Sequence, residues 1–137
     1  MCGSPYYIAP EVLLGHGYNE KADVWSCGII FHYLLTGEFP FDAKTDLEVV
    51  HEIQKHEVNL TGPRYKHIDR KALLLLKAML NKDPNYRISA ADARNDPYFQ
   101  YDELEKEIIR EILLNCKNFL KFGKIQKSFF RLFVDKL

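Results

Sequence analysis

Residues 22–35 read ADVWSCGIIFHYLL, and only Asp23, Ser26 and His32 among them are clearly polar. A surface helix turns a polar face to water, whereas a helix that is apolar on every side is buried. The stretch is therefore expected to be the central helix of the fold. Gly37 closes it, since glycine takes the left-handed cap conformation at little cost. Working outward, residues 37–43 (GEFPFDA) form a turn with Phe39 and Phe41 around Pro40. Thr45 and Glu48 have the capping-box spacing, which opens a helix running to about Lys55. Residues 56–68 are expected to be loop. Asp69 caps a further helix to Leu80, with Ala72, Leu73, Leu76, Met79 and Leu80 on one face and Asp83-Pro84 as the stop. Ser89 and Asp92 repeat the capping spacing for a short helix that ends before Pro97.

On the N-terminal side, residues 2–19 are loop-like, punctuated by Gly3, Pro5, Pro10, Gly15 and Gly17, with one helical turn at Pro10–Leu14. On the C-terminal side, residues 102–120 read as a charged amphipathic helix with Leu104, Ile108, Ile112 and Phe119 among its apolar positions. Residues 124–137 read as another, with Gly123 a kink or cap between them. No strand signal and no internal repeat occurs, so the fold class is all-α.

Composition restricts the function classes. The 137 residues suit one domain, and 47% hydrophobic with 28% charged residues can build an ordinary soluble core. A formal net charge of zero gives no nucleic-acid signature. Cys2, Cys27 and Cys116 are scattered, with no Cys-x-x-Cys or Cys/His cluster, so a zinc site is not expected and free thiols in a reducing compartment are. The first residues lack the layout of a signal peptide. The longest apolar runs, such as Leu73–Leu76, are far short of the roughly 20 residues that a membrane span needs. The expectation is an intracellular, cytoplasmic, soluble chain without a transmembrane segment.

Four segments in order, GSPYYIAPEVL (3–13), DVWSCGII (23–30), LTGEFPF (35–41) and DPNYRISA (83–90), resemble the C-terminal lobe of a eukaryotic protein kinase. Ala9-Pro10-Glu11 matches one of that family's signature elements. A single tripeptide is weak, but four elements with the family's order and spacing are specific. The resemblance covers residues 2–100 and is carried into a protein-kinase-like C-lobe at 1–100 followed by a regulatory segment at 101–137. It implies that Ser4, where the family usually has threonine, together with Tyr6, Tyr7 and Ile8, forms the loop that receives a protein substrate. Read without the family, Ser4 is a turn hydroxyl before Pro5. The resemblance also implies that Glu11 pairs with Arg87 as a buried, bidentate, structural ion pair. Asp23 would accept backbone N–H groups of a catalytic loop, although a plain helix-capping role is equally compatible with its position. Trp25 becomes a packing anchor, and Gly28 the gap for a close approach.

The family's reaction needs a glycine-rich loop, a strand lysine with its helix glutamate, a catalytic aspartate and asparagine, and the Asp-Phe-Gly that holds magnesium. None occurs in these 137 residues. Residues 67–70 (HIDR) only rearrange the letters of His-Arg-Asp before a helix. No catalytic residue is assigned. The chain is expected to bind neither ATP nor magnesium, which belong to a parent kinase. It is expected to be a fragment that lacks the N-lobe and is inactive alone.

Residues 116–137 (CKNFLKFGKIQKSFFRLFVDKL) carry Lys117, Lys121, Lys124, Lys127, Arg131 and Lys136 against Asp135 alone. Phe119, Phe122, Phe129, Phe130 and Phe133 supply aromatic anchors. Basic and aromatic residues at helical spacing suit a hydrophobic, acidic groove of the calmodulin type. A core helix with snorkelling lysines and a membrane-surface helix are the other readings. With the kinase resemblance, the segment looks like the junction of the calcium-dependent protein kinases of plants and apicomplexan parasites, which blocks the kinase until an EF-hand domain releases it. Calmodulin-dependent kinases share the layout. No EF-hand loop occurs here, so an EF-hand domain or a separate calmodulin would be the partner. The functional expectation is the partial Ser/Thr kinase just described. A non-catalytic helical protein-binding module derived from a kinase C-lobe is the alternative.

Overall fold

A computed structural model describes residues 5–100 and 106–119. Among the described residues six α-helices follow in order: α1 (Pro10–Leu13), α2 (Lys21–Thr36), α3 (Asp46–Lys55), α4 (Arg70–Met79), α5 (Ala90–Arg94) and α6 (Lys106–Phe119). Short 3-10 turns lie at Pro5–Tyr7, Pro63–Tyr65 and Pro97–Gln100. No strand occurs among the described residues, and no helix there is long and apolar enough to cross a membrane. The fold is all-α.

The central position of α2 explains its composition. The Pro5–Tyr7 turn, α4 and α6 all pack on it. One side contributes Trp25 and Ile29 to a core with Phe41, Val49, Ile53, Leu76 and Leu80. Another side contributes Val24 to a second cluster with Leu75, Met79 and Ala93. A helix wedged between two cores has no face to leave polar. Gly28 sits where α2 meets α4: a Cβ there would fall 2.8 Å from Leu80 Cδ2 and 3.1 Å from Met79 Cβ. The helices touch through the absence of a side chain. Gly37 ends α2 in the left-handed region (φ 76°), and its N–H donates to the Tyr33 carbonyl at 2.7 Å.

The capping residues act as local physics dictates. Thr45 Oγ1 accepts from Glu48 N–H at 3.3 Å while Glu48 Oε2 accepts from Thr45 N–H at 3.1 Å, a complete capping box on α3. Asp69 accepts the Lys71 N–H at the start of α4. At α5 the reciprocity differs from the sequence expectation. Ser89 Oγ accepts from Asp92 N–H at 3.0 Å, but its hydroxyl then donates to the Asp92 carboxylate at 2.6 Å.

Three expectations need correction. Asp23 does not cap α2: the helix begins at Lys21, and Asn19 Oδ1 takes the Lys21 N–H at 3.0 Å, which leaves Asp23 exposed in the first turn. On α4 the most buried residues are Ala72, Leu75, Leu76 and Met79, with Leu73 only half-buried. Positions three and four apart share a helix face, and Leu75 rather than Leu73 continues the series from Ala72. Residues 56–68 are not simply loop, since the Pro63–Tyr65 turn buries Tyr65.

That turn exists to reach His32. The fully buried imidazole lies 3.0 Å from both the Glu38 carbonyl, through Nδ1, and the Tyr65 hydroxyl, through Nε2. A carbonyl only accepts, so Nδ1 carries the proton, Nε2 accepts, and Tyr65 donates. Burial depresses the His32 pKa from 6.5 to about 4, with Arg64 adding to the depression while the Glu38 carbonyl and carboxylate oppose it. The unfolded chain therefore binds this proton more readily than the folded one. His32 contributes stability that is full above pH 6.5 and is lost as pH falls toward about 4. The gap corresponds to about 3 kcal/mol at 1.36 kcal/mol per pH unit. Urea unfolding at pH 7 and at pH 4.5 should show most of this loss, and a His32→Gln chain should show a smaller difference between the two. An equal difference in both chains would assign the pH dependence to other groups.

Candidate functional site

The candidate site is the irregular segment before α2 together with the residues that hold it. Tyr6, Tyr7 and Ile8 are half-buried, and Ala9, Pro10 and Glu11 are buried. Proline at positions 5 and 10 fixes the backbone on both sides of the short stretch. Phe39, two residues beyond Gly37, gathers three tyrosines. Its ring centroid lies 4.7 Å from Tyr6, 5.7 Å from Tyr7 in an edge-on contact, and 4.9 Å from Tyr33. Ser26 Oγ on α2 donates to the Tyr7 carbonyl at 2.7 Å. The segment is thus held by side chains from α2 and from the turn after it. Burial raises the Tyr6 phenol pKa, and the nearby carboxylates of Asp42 and Asp46 add to the rise, so Tyr6 stays neutral.

A second anchor holds the segment from behind. Arg87 Nη1 donates to Glu11 Oε1 at 2.7 Å and Nη2 donates to Glu11 Oε2 at 2.9 Å, bridging residues 76 apart in sequence. Both side chains are buried. The remaining guanidinium protons go to carbonyls: Nε to Asn81 at 2.8 Å, Nη1 to Lys21 at 2.7 Å and Nη2 to Lys82 at 3.3 Å. A guanidinium has five N–H donors, and each here has an acceptor. Lys21 closes the ring, its Nζ donating to the Arg87 carbonyl at 2.6 Å. The guanidinium carbon also lies 5.2 Å from the Trp25 ring, a cation–π contact beneath the ion pair. Burial pushes the Glu11 pKa up, but the Arg87 hydrogen bonds, a backbone hydrogen bond and the Arg87 charge together bring it below 4.5.

The structure therefore brings Tyr6, Tyr7, Glu11, Trp25 and Arg87 into one connected unit. Gly28 lies away from it, at the α2–α4 contact. Asp23 is exposed; its backbone N–H donates to the Glu20 carbonyl at 3.1 Å, and its carboxylate takes no cap hydrogen bond of α2. Ser4, Phe122, Phe129, Phe130 and Phe133 lie outside the described residues, as does the side chain of Phe119. The sequence reading missed Lys21, Ser26 and the Asn81 carbonyl. Ser26 did carry a signal, since a polar residue inside an otherwise apolar helix needs a partner. Lys21 and Asn81 carried none.

The kinase family implies ATP and magnesium for the complete kinase. Among the described residues no three His, Cys, Asp or Glu side chains gather to hold a metal ion. In HIDR, Asp69 is committed to capping α4. No chemical step is assigned to this chain.

Residues 1–99 match the protein kinase domain family. The chain is 40% identical over 126 residues to calcium-dependent protein kinase 31 of Arabidopsis thaliana, covering 91% of the chain and 26% of that protein. It is 35% identical over 129 residues to calcium-dependent protein kinase 3 of Plasmodium berghei, covering 91% and 23%. It is also 36% identical over 134 residues to a probable serine/threonine-protein kinase of Dictyostelium discoideum, covering 95% and 15%. The chain spans a quarter or less of the length of most of these relatives, at 26%, 23% and 15%. With the tethered Ala-Pro-Glu segment and residues 1–99 matched, the chain belongs to the protein kinase domain family.

Proposed function

We propose that residues 1–100 are the substrate-facing part of a calcium-regulated Ser/Thr protein kinase's large lobe, and that 101–137 are its regulatory junction. The complete kinase would transfer the ATP γ-phosphate to a protein serine or threonine, with ATP and magnesium held by elements other than these. The observation that carries the reading is the segment at 5–11, fixed from one side by Phe39 and Ser26 and from the other by Arg87. Similarity to calcium-dependent kinases along most of the chain supports it. In this reading Ser4, Tyr6, Tyr7 and Ile8 receive the substrate. Ala9, Pro10, Glu11, Trp25, Gly28 and Arg87 shape the platform, and Asp23 is left for a catalytic loop. Phe119, Phe122, Phe129, Phe130 and Phe133 engage an EF-hand or calmodulin partner in the cytoplasm.

The test is a graft. Residues 1–100 replace the matching segment of an active calcium-dependent protein kinase, and ATP-dependent phosphorylation of Ser/Thr peptides is measured. The graft should be active, and the chain alone should not. A graft that folds and binds ATP but phosphorylates nothing would overturn the reading, as would activity of the isolated chain. Calorimetry of the full chain with calmodulin should show binding only with calcium present.

A further inference from the structure

Among the described side chains of α6, the most buried one is polar. Leu113 and Leu114 are 57% and 59% exposed, whereas Asn115 beside them is 8% exposed. Asparagine is a poor helix former and costs free energy to bury unless it is hydrogen-bonded. Here its Nδ2 donates to the Leu34 carbonyl at 2.8 Å. Leu34 lies in the last turn of α2, where carbonyls have no partner within their own helix. Asn115 supplies that partner across 81 residues of sequence. The fit is close on its other side too, because a Cβ on Gly37 would fall 3.0 Å from Asn115 Oδ1. Five residues beyond Leu34 lies Phe39, which holds Tyr6 and Tyr7. Between them the Glu38 carbonyl is pinned by His32. Residues 34–39 thus touch α6 at one end and the candidate substrate segment at the other.

We propose that Asn115 is the positioning residue that latches α6 to the C-terminal end of α2, and that release of this latch loosens the turn at 37–43 that supports Tyr6 and Tyr7. The latch is independent of any substrate. Its bearing on substrate binding rests on the reading of residues 5–8 given above. The docked residue is polar, so the contact is weak enough to be exchanged for another partner. A leucine pair on the outer face is left exposed while the latch holds.

Hydrogen exchange of the full chain tests the proposal. Asn115→Leu keeps the side chain's size and raises helix propensity, so a loss of protection cannot come from a weaker helix, and it leaves the Leu34 carbonyl unpaired. Protection of amides in 110–119 should fall about tenfold, the loss expected when a buried acceptor loses its donor. Protection in 37–43 should fall with it, and α4 should not change. Gly37→Ala sets a Cβ against Asn115 Oδ1 from the lobe side and should release the same α6 amides; because Gly37 is left-handed, alanine also strains 37–43 directly, so this variant reports on 110–119 alone. Unchanged protection of 110–119 in both variants overturns the latch. Release of α6 with 37–43 unchanged overturns the coupling. Neither readout involves a substrate, so failure of the kinase reading shows separately, in the graft.

Discussion

An Arg87→Leu chain is expected to lose about 3–5 kcal/mol of stability, because it strands the buried Glu11 carboxylate and leaves three carbonyls without donors. Domains of this size are stable by only about 5–15 kcal/mol, so the variant should be largely unfolded at modest urea concentrations. Arg87→Lys should be nearly as damaging, since one ammonium cannot reproduce a five-donor fork held in a plane. The distinguishing result comes from the pair. Glu11→Leu with Arg87→Leu removes both charges, and it should be less destabilised than the sum of the single changes. Urea titrations of the four chains give the coupling directly. Additive losses would mean that Arg87 acts through the carbonyls of Lys21, Asn81 and Lys82 rather than through Glu11. The pair also has a pH signature. Because the folded Glu11 pKa is lowered, its contribution is present above pH 4.5 and is lost as pH falls through the lowered value. That loss lies on the acid side of the His32 window.

Trp25→Ala should cost a similar amount, about 3–5 kcal/mol, by opening a cavity at the centre of the larger core. The indole is fully buried, stacks on Phe41 with ring centroids 6.1 Å apart, and underlies the Arg87 guanidinium. Trp25→Phe should be much milder. It keeps an aromatic face for both neighbours and removes an indole N–H that finds no acceptor among the described residues. Thermal unfolding of the two variants is the check. A phenylalanine variant as unstable as the alanine one would show that volume, and not the aromatic face, is what the site requires.

Much of the architecture was legible before any coordinates. The ends of α2, α3, α4 and α5 follow from glycine, threonine, aspartate and serine at capping positions, and those signals act within a few residues. The errors lay where packing or a neighbouring residue decided: Asp23 is not the cap of α2, Leu75 joins the buried face of α4, and a turn within 56–68 buries Tyr65. At the candidate site, the segment at 5–11 and its pairing with Arg87 came from a resemblance, not from periodicity. Nothing in local sequence tells a carboxylate which of the chain's arginines it will meet.

The three polar residues inside the central helix mark the division. Their identity as interruptions in an apolar run was plain in the sequence, as were the all-α class, the helix order and the lack of kinase catalytic motifs in these residues. What each one does depended on which elements the fold set beside it. Asp23 faces outward, Ser26 meets the Tyr7 carbonyl, and His32 lies between the Glu38 carbonyl and Tyr65. Asn115 is the same case on another helix. Helix periods and caps are short-range and can be read from the order of residues. A hydrogen bond between distant residues forms only after loop closure and core packing have placed them together, and the tertiary structure alone decides it.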